Sequence, residues 1–255
     1  MASENNLLPR AVILTALPLE YLAVKKHISE VKEVTHDRGN VYETGIFDGE
    51  YHTWDVLIAE VGAGNNKCAL ETERAINYYK PEVIVFVGIA GGIKDLALGD
   101  VVAANKAYGY EHGKSDEKFL SRPEVGKSSY ALLERAKAES KKDNWKQRSI
   151  HAEQYPNLKA IVKPIAAGEK VVTSVRSAVF DLIYNNYNDT VAVEMEGSGF
   201  YSACHANEGL QFLIVRGISD LLENKSETDS QGYQDIAANN ASAFAFEVLS
   251  KFKVK

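Results

Sequence analysis

Two segments of the chain join an apolar strand-like run directly to acidic side chains. In VAVEMEG, residues 191–197, the run leads into Glu194 and Glu196, and in IVRGISD, residues 214–220, it ends at Asp220. The carboxyl ends of buried strands are where open α/β sheets place their ligands. A carboxylate in a half-buried crevice is costly, so we expect such a site to use the negative charge or the proton.

A third carboxylate, Glu20, lies one turn into the helix predicted after the first strand. Each of the three has a plain structural alternative. Glu20 could merely favour the helix dipole, an effect of about a few tenths of a kcal/mol. Glu196 could belong to an acidic helix start, and Asp220 could cap a following helix. The residues alone leave these alternatives open.

The composition excludes several classes of protein. The chain has 255 residues, 45% of them hydrophobic, which is enough for one large α/β domain or two small ones. A net charge of −6 argues against nucleic-acid binding. The sequence predicts no membrane span and no secretory signal. Cys68 and Cys204 have no metal or redox spacing and fit a reducing cytoplasm, so we expect no metal site.

Short apolar runs alternate with longer helical stretches along the chain. Strands are predicted at 11–16, 40–47, 51–61, 82–87, 99–104, 159–165, 170–173, 191–193 and 213–215. Helices are predicted at 18–27, 65–79, 128–142, 175–185, 196–207 and 231–252. This order predicts one α/β domain over 1–255, with a mixed central sheet flanked by helices. We expect a flexible stretch at 1–10 and a variable excursion at 111–160.

A glycine-rich segment, VGIAGGIKDLALGD at 87–100, follows a strand that is predicted to be buried. Gly88, Gly91 and Gly92 would let the backbone approach a ligand closely or adopt positive φ. The spacing is not that of a dinucleotide fingerprint. By itself the segment could equally be a tight turn without a ligand.

Taken together, VAVEMEG, IVRGISD and the glycine-rich segment resemble the nucleoside phosphorylase superfamily. The resemblance covers about 11–110 and 165–250 and is greatest to the methylthioadenosine/S-adenosylhomocysteine nucleosidase branch. GYEHGK and VRGISD are also similar to segments of nucleosidase-like effectors of bacterial antiviral defence, which act on adenine nucleotides. The resemblance to the superfamily implies a purine N-ribosyl hydrolase with a small-molecule substrate, no cofactor and a homo-oligomeric assembly.

The resemblance also implies a role for each acidic residue. Glu20 would act on the attacking water, and Glu196 would accept the 2′- and 3′-hydroxyls of ribose with Met195 on the sugar face. Asp220 would be the general acid at purine N7, and Ser219 would hydrogen-bond this aspartate or the base. A protonated carboxyl there offsets the charge that develops on the leaving base. Further substrate-binding candidates are Glu194, Ile89, Ala90, Gly91, Val171, Val172, Lys170 and Lys106.

Two positions depart from the nucleosidase pattern. Ile89 replaces a small hydroxyl residue, and Val171 stands where an aromatic residue usually stacks on the base. Adenine would then be held by aliphatic contacts and backbone groups of Val171 and Val172. Phosphorylases of the superfamily need a glycine loop after the first strand and an arginine before the glycine-rich segment. This chain has TALPLE at 15–20 and Phe86, so water is the expected nucleophile.

The charge distribution suggests the substituent at the 5′ position of the substrate. Residues 106–176 contain 15 Lys and Arg against 9 Asp and Glu, a net charge of +6. We therefore expect an adenine nucleotide such as AMP or ATP. Methylthioadenosine or S-adenosylhomocysteine, a phosphorolytic reaction and a non-catalytic nucleotide sensor are the alternatives. The basic residues that could meet a phosphate chain are Lys106, His112, Lys114, Lys170 and Arg176.

Overall fold

A mixed sheet of ten strands forms the centre of the protein in the computed structural model, which describes residues 7–151, 153–222 and 232–254. The strands are β1 (Arg10–Thr15), β2 (Ser29–Thr35), β3 (Val41–Asp48), β4 (Thr53–Glu60), β5 (Val83–Gly92), β6 (Val101–Gly109), β7 (Gly113–Ser115), β8 (Phe119–Ser121), β9 (Glu124–Lys127), β10 (Ala160–Ala167), β11 (Ala192–Glu194) and β12 (Gln211–Leu221). The helices are α1 (Pro18–Lys25), α2 (Asn65–Tyr79), α3 (Tyr130–Glu139), α4 (Ala178–Asn186), α5 (Gly197–His205) and α6 (Tyr233–Ser250), with a 3₁₀ turn at Asn144–Arg148. Strands β7 and β8 form a separate hairpin.

Helices cover both faces of the sheet, as expected for strands with nearly continuous Val, Ile and Phe sequences. On one face α2 and α5 pack through residues such as Ile76 and Phe200. On the other face α1, α3 and α6 pack through residues such as Val24 and Phe244. Strand β5 is buried along nearly its whole length because it lies between these layers. The predicted α/β fold class, one mixed sheet flanked by helices, is confirmed.

Strand pairing brings the carboxyl ends of several strands to one place. Strand β5 lies between β1 and β12 and runs parallel to both. Strand β11 pairs in parallel with β10 and also antiparallel with the end of β5, where Val193 lies opposite Gly91. Part of the sheet therefore closes on itself. The ends of β1, β5, β11 and β12 consequently surround one crevice.

Several predicted boundaries were wrong. Residues 170–173 form no strand and instead belong to a loop that follows β10. Strand β5 continues through Gly92, and its glycines have no positive φ, so the segment is not a tight turn at this point. Strand β12 continues through Asp220 to Leu221, which rules out the helix-cap explanation of Asp220. The α6 helix begins at Tyr233, and the predicted start at 231 lies outside the described residues.

Secondary structure is present in the stretch 7–10 and in the segment 111–160. Arg10 already belongs to β1, and the Pro9 carbonyl accepts a hydrogen bond from Asp55, whereas residues 1–6 lie outside the described part. Within 111–160 the chain forms three short strands, α3 and the 3₁₀ turn. Strand β2 was not predicted because it is an exposed edge strand rich in charged residues. Over the ranges given above, no helix is long and apolar enough to cross a membrane.

Candidate active site

A cavity of about 330 Å³ opens at the carboxyl ends of β1, β5, β11 and β12. This is the position that the sheet topology favours for a ligand. It is lined by Ala16, Leu17, Glu20, Ala63, Ile89, Ala90, Gly91, Lys170, Val171, Val172, Val193, Glu194, Met195, Glu196, Ser219, Asp220 and Gln234. The structure thus brings together every predicted site residue except Lys106.

Glu20 is fixed at the base of the cavity by backbone donors from two elements. One carboxylate oxygen accepts from the N–H groups of Ala16 and Leu17, at 2.8 and 2.9 Å, and the other accepts from the N–H of Ile89 at 2.8 Å. The side chain is only 2% exposed. Burial raises the pKa of Glu20, while the nearby Arg216 guanidinium and the backbone donors oppose the rise. Glu20 therefore joins the ends of β1 and β5 and remains able to take up a proton.

The guanidinium of Arg216 is completely buried behind the carboxylates of the cavity. Its Nη2 donates to Glu194, and to Glu196 at 3.1 Å, while its Cζ lies 4.2 Å from the centre of the Phe86 ring. Its Nε and Nη1 have no hydrogen-bond partner among the described residues. A side chain at Gly88 would collide with Nη1 and would come 2.7 Å from Glu20 Oε1. Gly88 therefore allows Arg216 and Glu20 to approach each other.

The two glutamates of VAVEMEG have different surroundings. Glu194 accepts from the backbone N–H groups of Glu196 and Gly197, so it holds the start of α5. One oxygen of Glu196 accepts from the Gly64 N–H at 3.2 Å, and the other accepts from Arg216. Burial raises the pKa of Glu196 to about 7, with Arg216 opposing the rise and Glu194 adding to it. Glu196 can therefore exchange its proton near neutral pH.

Asp220 is aimed at the cavity by an irregularity in β12. Ile218 pairs with Ala90 and Asp220 pairs with Gly91, so Ser219 is an extra residue in the strand. The Ser219 hydroxyl donates to Asp220 at 3.0 Å and lies 3.4 Å from the Ala90 carbonyl oxygen. Asp220 is 2% exposed. The bulge thus places a buried carboxyl group and a hydroxyl beside the glycine-rich end of β5.

The loop after β10 forms one wall of the cavity. Its Gly168 N–H donates to the Glu194 carbonyl at 3.1 Å, and the Glu169 carboxylate accepts from the Asn65 N–H at 3.1 Å. Val172 is buried, whereas Val171 is 59% exposed at the opening. These contacts tie the loop to β11 on one side and to the start of α2 on the other. The loop contributes the aliphatic side chains of Val171 and Val172 to this wall.

The match to known proteins identifies the family. The model of the phosphorylase superfamily matches residues 10–252, almost the whole chain. The chain belongs to the phosphorylase superfamily. It is 26% identical over 249 residues to a 5′-methylthioadenosine/S-adenosylhomocysteine nucleosidase of Staphylococcus aureus (strain JH9), covering 94% of this chain and 98% of the relative. A nucleosidase with the same description from Glaesserella parasuis serovar 5 (strain SH0165) is 25% identical over 220 residues, covering 81% and 86%.

The fold of this superfamily member is also found in solved structures. The S-adenosylhomocysteine nucleosidase of Streptococcus pyogenes superimposes with a TM-score of 0.78 at 20% sequence identity. The superposition covers 99% of this chain and 100% of the other. At this level of identity the likeness concerns the fold. It agrees with the mixed sheet and the two helical layers described above.

The predicted basic cluster does not converge on the cavity of this superfamily member. Lys106 pairs with Asp189 at 2.8 Å and lies outside the lining, contrary to the prediction that it binds substrate. From its position on β6, the Lys106 side chain points to Asp189 in the loop that precedes β11. The other predicted cations outside the lining are His112, Lys114 and Arg176. Lys170 alone among the five lines the cavity, and its ammonium pairs with Glu111.

Sequence reasoning missed five lining residues, Ala16, Leu17, Ala63, Val193 and Gln234. Ala63 lies between two glycines with positive φ, a weak signal in the sequence that the structure connects to the cavity. Gln234 comes from the first turn of α6, and no motif in the sequence marks it. In the described ranges, no three His, Cys, Asp or Glu side chains are arranged to hold a metal ion.

Proposed function

We propose that this superfamily member releases adenine from an adenine nucleoside by hydrolysis of the N-glycosidic bond. Both curated relatives are nucleosidases, and the chain is accordingly an N-glycosyl hydrolase. The three carboxylates Glu20, Glu196 and Asp220 meet in one cavity, where a non-catalytic sensor would need none of them in place. The roles below are our proposal for these residues.

The hydrogen bonds of Glu20 are the observation that favours water over phosphate as the nucleophile. Its carboxylate already accepts hydrogen bonds from the backbone N–H groups of Ala16, Leu17 and Ile89 at the ends of β1 and β5. A phosphate dianion needs such donors and is repelled by a carboxylate. Arg216, the nearest cation, is already shared by Glu194 and Glu196. Water is therefore the nucleophile that fits this end of the cavity.

The proposed reaction has two proton transfers, one from water to Glu20 and one from Asp220 to the base. Water attacks C1′ of the ribose and gives a proton to Glu20, whose pKa is raised by burial. The bond between C1′ and N9 breaks, and its electron pair passes to the base. Asp220 supplies a proton to N7 of the departing adenine. Exchange with solvent afterwards removes the proton from Glu20 and restores that of Asp220.

The charge of the cavity favours the transition state of this reaction. Glu20, Glu194 and Glu196 surround the guanidinium of Arg216, so the cluster has a net negative charge when its carboxylates are ionised. An oxocarbenium-like ribose is cationic and is stabilised by this negative charge. Glu196 would also accept the ribose hydroxyls. The same charge opposes the approach of orthophosphate.

The choice of nucleophile gives the first prediction. Turnover should not depend on orthophosphate, and the sugar product should be free ribose or its 5′-substituted form. Adenine release and sugar products are measured by chromatography with and without phosphate. Production of a ribose 1-phosphate, with a rate that rises with phosphate concentration, would make the protein a phosphorylase.

The described lining favours an apolar 5′ substituent. Beside Glu20 the wall is built from Leu17, Ala63 and Met195, and only one lysine reaches the cavity. An apolar thioether is stabilised by such a surface, whereas a phosphate chain requires several donors. Both curated relatives are named for methylthioadenosine and S-adenosylhomocysteine. These compounds are therefore the first substrate candidates, and we propose a homo-oligomer as the working assembly.

An adenine nucleotide, the substrate expected from the charge distribution, is the second candidate because Lys170 lines the cavity. Its ammonium pairs with Glu111, whose carboxylate is largely shielded, and a phosphate could replace this partner. Cleavage of AMP or ATP would support a role in antiviral defence. The two candidates differ in their dependence on Lys170.

The second prediction separates these substrates. If nucleotides are cleaved, Lys170→Ala should raise KM for AMP and ATP about tenfold, most clearly at low salt, as expected for loss of one charge-assisted contact. Cleavage of methylthioadenosine should be nearly unchanged. Lys163→Ala, on the exposed surface of β10, is the matched control. Efficient cleavage of methylthioadenosine without activity on AMP or ATP would eliminate the nucleotide candidate.

A further inference from the structure

Glu194 lines the cavity, yet nearly all of its hydrogen-bonding capacity is used within the protein. One carboxylate oxygen accepts from the backbone N–H groups of Glu196 and Gly197, at 3.1 and 3.0 Å, and from Arg216. The other accepts from the Gly197 N–H at 2.9 Å. The side chain is buried at the junction between β11 and α5. A ribose hydroxyl would have to compete with three donors that are already in place.

We propose that Glu194 is a positioning residue, which holds Arg216 and the start of α5 so that the Glu196 carboxylate is presented to the ribose. The inference rests on the proposed function, because it concerns the carboxylate assigned to ribose. It replaces the direct contact between Glu194 and substrate that the sequence predicted. Its effect passes through two neighbours, Arg216 and Glu196.

The geometry gives Glu194 control over the charge that Glu196 experiences. A single nitrogen, Nη2 of Arg216, donates to both carboxylates, and Glu194 makes the closer contact. The negative charge of Glu194 thus offsets part of the attraction between the guanidinium and Glu196. A negative charge at Glu194 also repels the ionised form of Glu196 directly. Both effects make Glu196 easier to protonate.

The other groups that face Glu196 come from α1, the turn before α2, α2 itself and β12. Glu20 on α1 adds a second repulsive charge, and the Gly64 N–H before α2 stabilises the ionised form. The thiol of Cys68 on α2 stays neutral, because burial raises its pKa. Among the residues that the structure describes, Arg216 on β12 is the cation that lowers the pKa of Glu196. Of the two nearby carboxylates, Glu194 alone shares this cation through the same nitrogen.

The sign of the expected effect follows from these charges. The raised pKa of Glu196, about 7, means that the group is ionised above this pH and protonated below it. An ionised carboxylate accepts both ribose hydroxyls, so adenosine binding should weaken as pH falls through 7. Removal of the Glu194 charge leaves Arg216 wholly to Glu196 and should move this loss to lower pH. The shift should be about one pH unit or more, the usual size for a neighbouring charge.

The test follows Glu196 directly in substrate-free protein. The carboxyl carbons of ¹³C-labelled glutamates are titrated by NMR, and the Glu196 signal is assigned through its loss in Glu196→Gln. The expected midpoint for wild type is about 7, and Glu194→Gln should lower it by about one unit or more. An unchanged midpoint would overturn the proposal, whatever the substrate proves to be.

A second variant separates charge from packing. Glu194→Asp keeps the charge but withdraws it from Arg216, so the midpoint should fall between those of wild type and Glu194→Gln. If Glu194→Gln does not fold, this intermediate shift decides the question, and an Asp variant with the wild-type midpoint refutes the proposal. A merely structural role would lower stability without moving the titration.

Adenosine binding links the titration to function. Its pH dependence is measured by calorimetry in the slow variant Glu20→Gln and in Glu20→Gln/Glu194→Gln, and the loss of affinity should move to lower pH in the double variant. If neither variant binds adenosine at any pH, the proposed function fails while the NMR midpoints still decide the role of Glu194. If adenosine binds and the loss occurs at the same pH in both, the positioning role fails instead.

Discussion

Asp220→Asn should lower kcat by about 10² to 10⁴-fold, the usual range for loss of a positioned proton donor. Departure of adenine leaves negative charge on the base, and an amide cannot transfer a proton to N7 as a carboxyl group can. The effect on KM should be smaller because asparagine has nearly the same shape and can still accept from the Ser219 hydroxyl, which lies 3.0 Å from the aspartate. Steady-state kinetics on the preferred nucleoside measure both constants.

Two comparisons make this prediction specific to proton donation. A 4-nitrophenyl riboside has a leaving group that needs no protonation, so Asp220→Asn should impair its cleavage far less than that of the nucleoside. Asp189→Asn is the matched control, because Asp189 lies outside the cavity and pairs with Lys106. Near-normal kcat on the nucleoside would remove Asp220 from the mechanism. An equal loss on both substrates would assign it a role other than acid catalysis.

Glu194, Glu196 and Asp220 could be recognised in the sequence because each lies at the end of an apolar run. Buried strands are recognisable from their composition, and parallel strands that share a sheet end at the same edge. Glu196 and Asp220 could therefore be expected at one edge of the sheet before the strand order was known, whereas Glu20 was assigned to the site through the resemblance to the superfamily. The order itself was not predictable, because the closure of β11 onto the end of β5 depends on pairing between residues distant in sequence.

Reasoning from composition failed where the direction in which a side chain points decides whether it reaches the cavity. Lys106 belongs to a basic region, yet the orientation of β6 takes its ammonium to Asp189 instead of the cavity. Gly88 was identified as a place of close approach, but its neighbours proved to be Arg216 and Glu20 rather than a ligand. A glycine in the sequence indicates that another group packs closely against the backbone, but it does not identify that group. Gln234 carries no pattern at all and reaches the cavity only through the placement of α6.

Glu20→Gln should also lower kcat by about 10² to 10⁴-fold, because an amide cannot take the proton of the attacking water. In wild type, kcat should fall as pH decreases through the pKa of Glu20, since only the ionised carboxylate acts as a base. Burial raises this pKa, so the fall should begin at a higher pH than for an ordinary glutamate. In Glu20→Gln this dependence should be lost from the residual rate.

The amide has a structural cost that must be separated from the catalytic one. A glutamine has one acceptor oxygen, so it cannot serve Ile89 on one side and the Ala16 and Leu17 N–H groups on the other as the carboxylate does. Leaving a buried donor unsatisfied costs about 1–3 kcal/mol, which thermal unfolding of the variant would register as a lower Tm. Glu60→Gln, at the exposed end of β4, is the matched control. Adenosine should still bind to folded Glu20→Gln at neutral pH, so binding without turnover supports the base role. Turnover close to that of wild type in the folded variant would show that water is activated by another group.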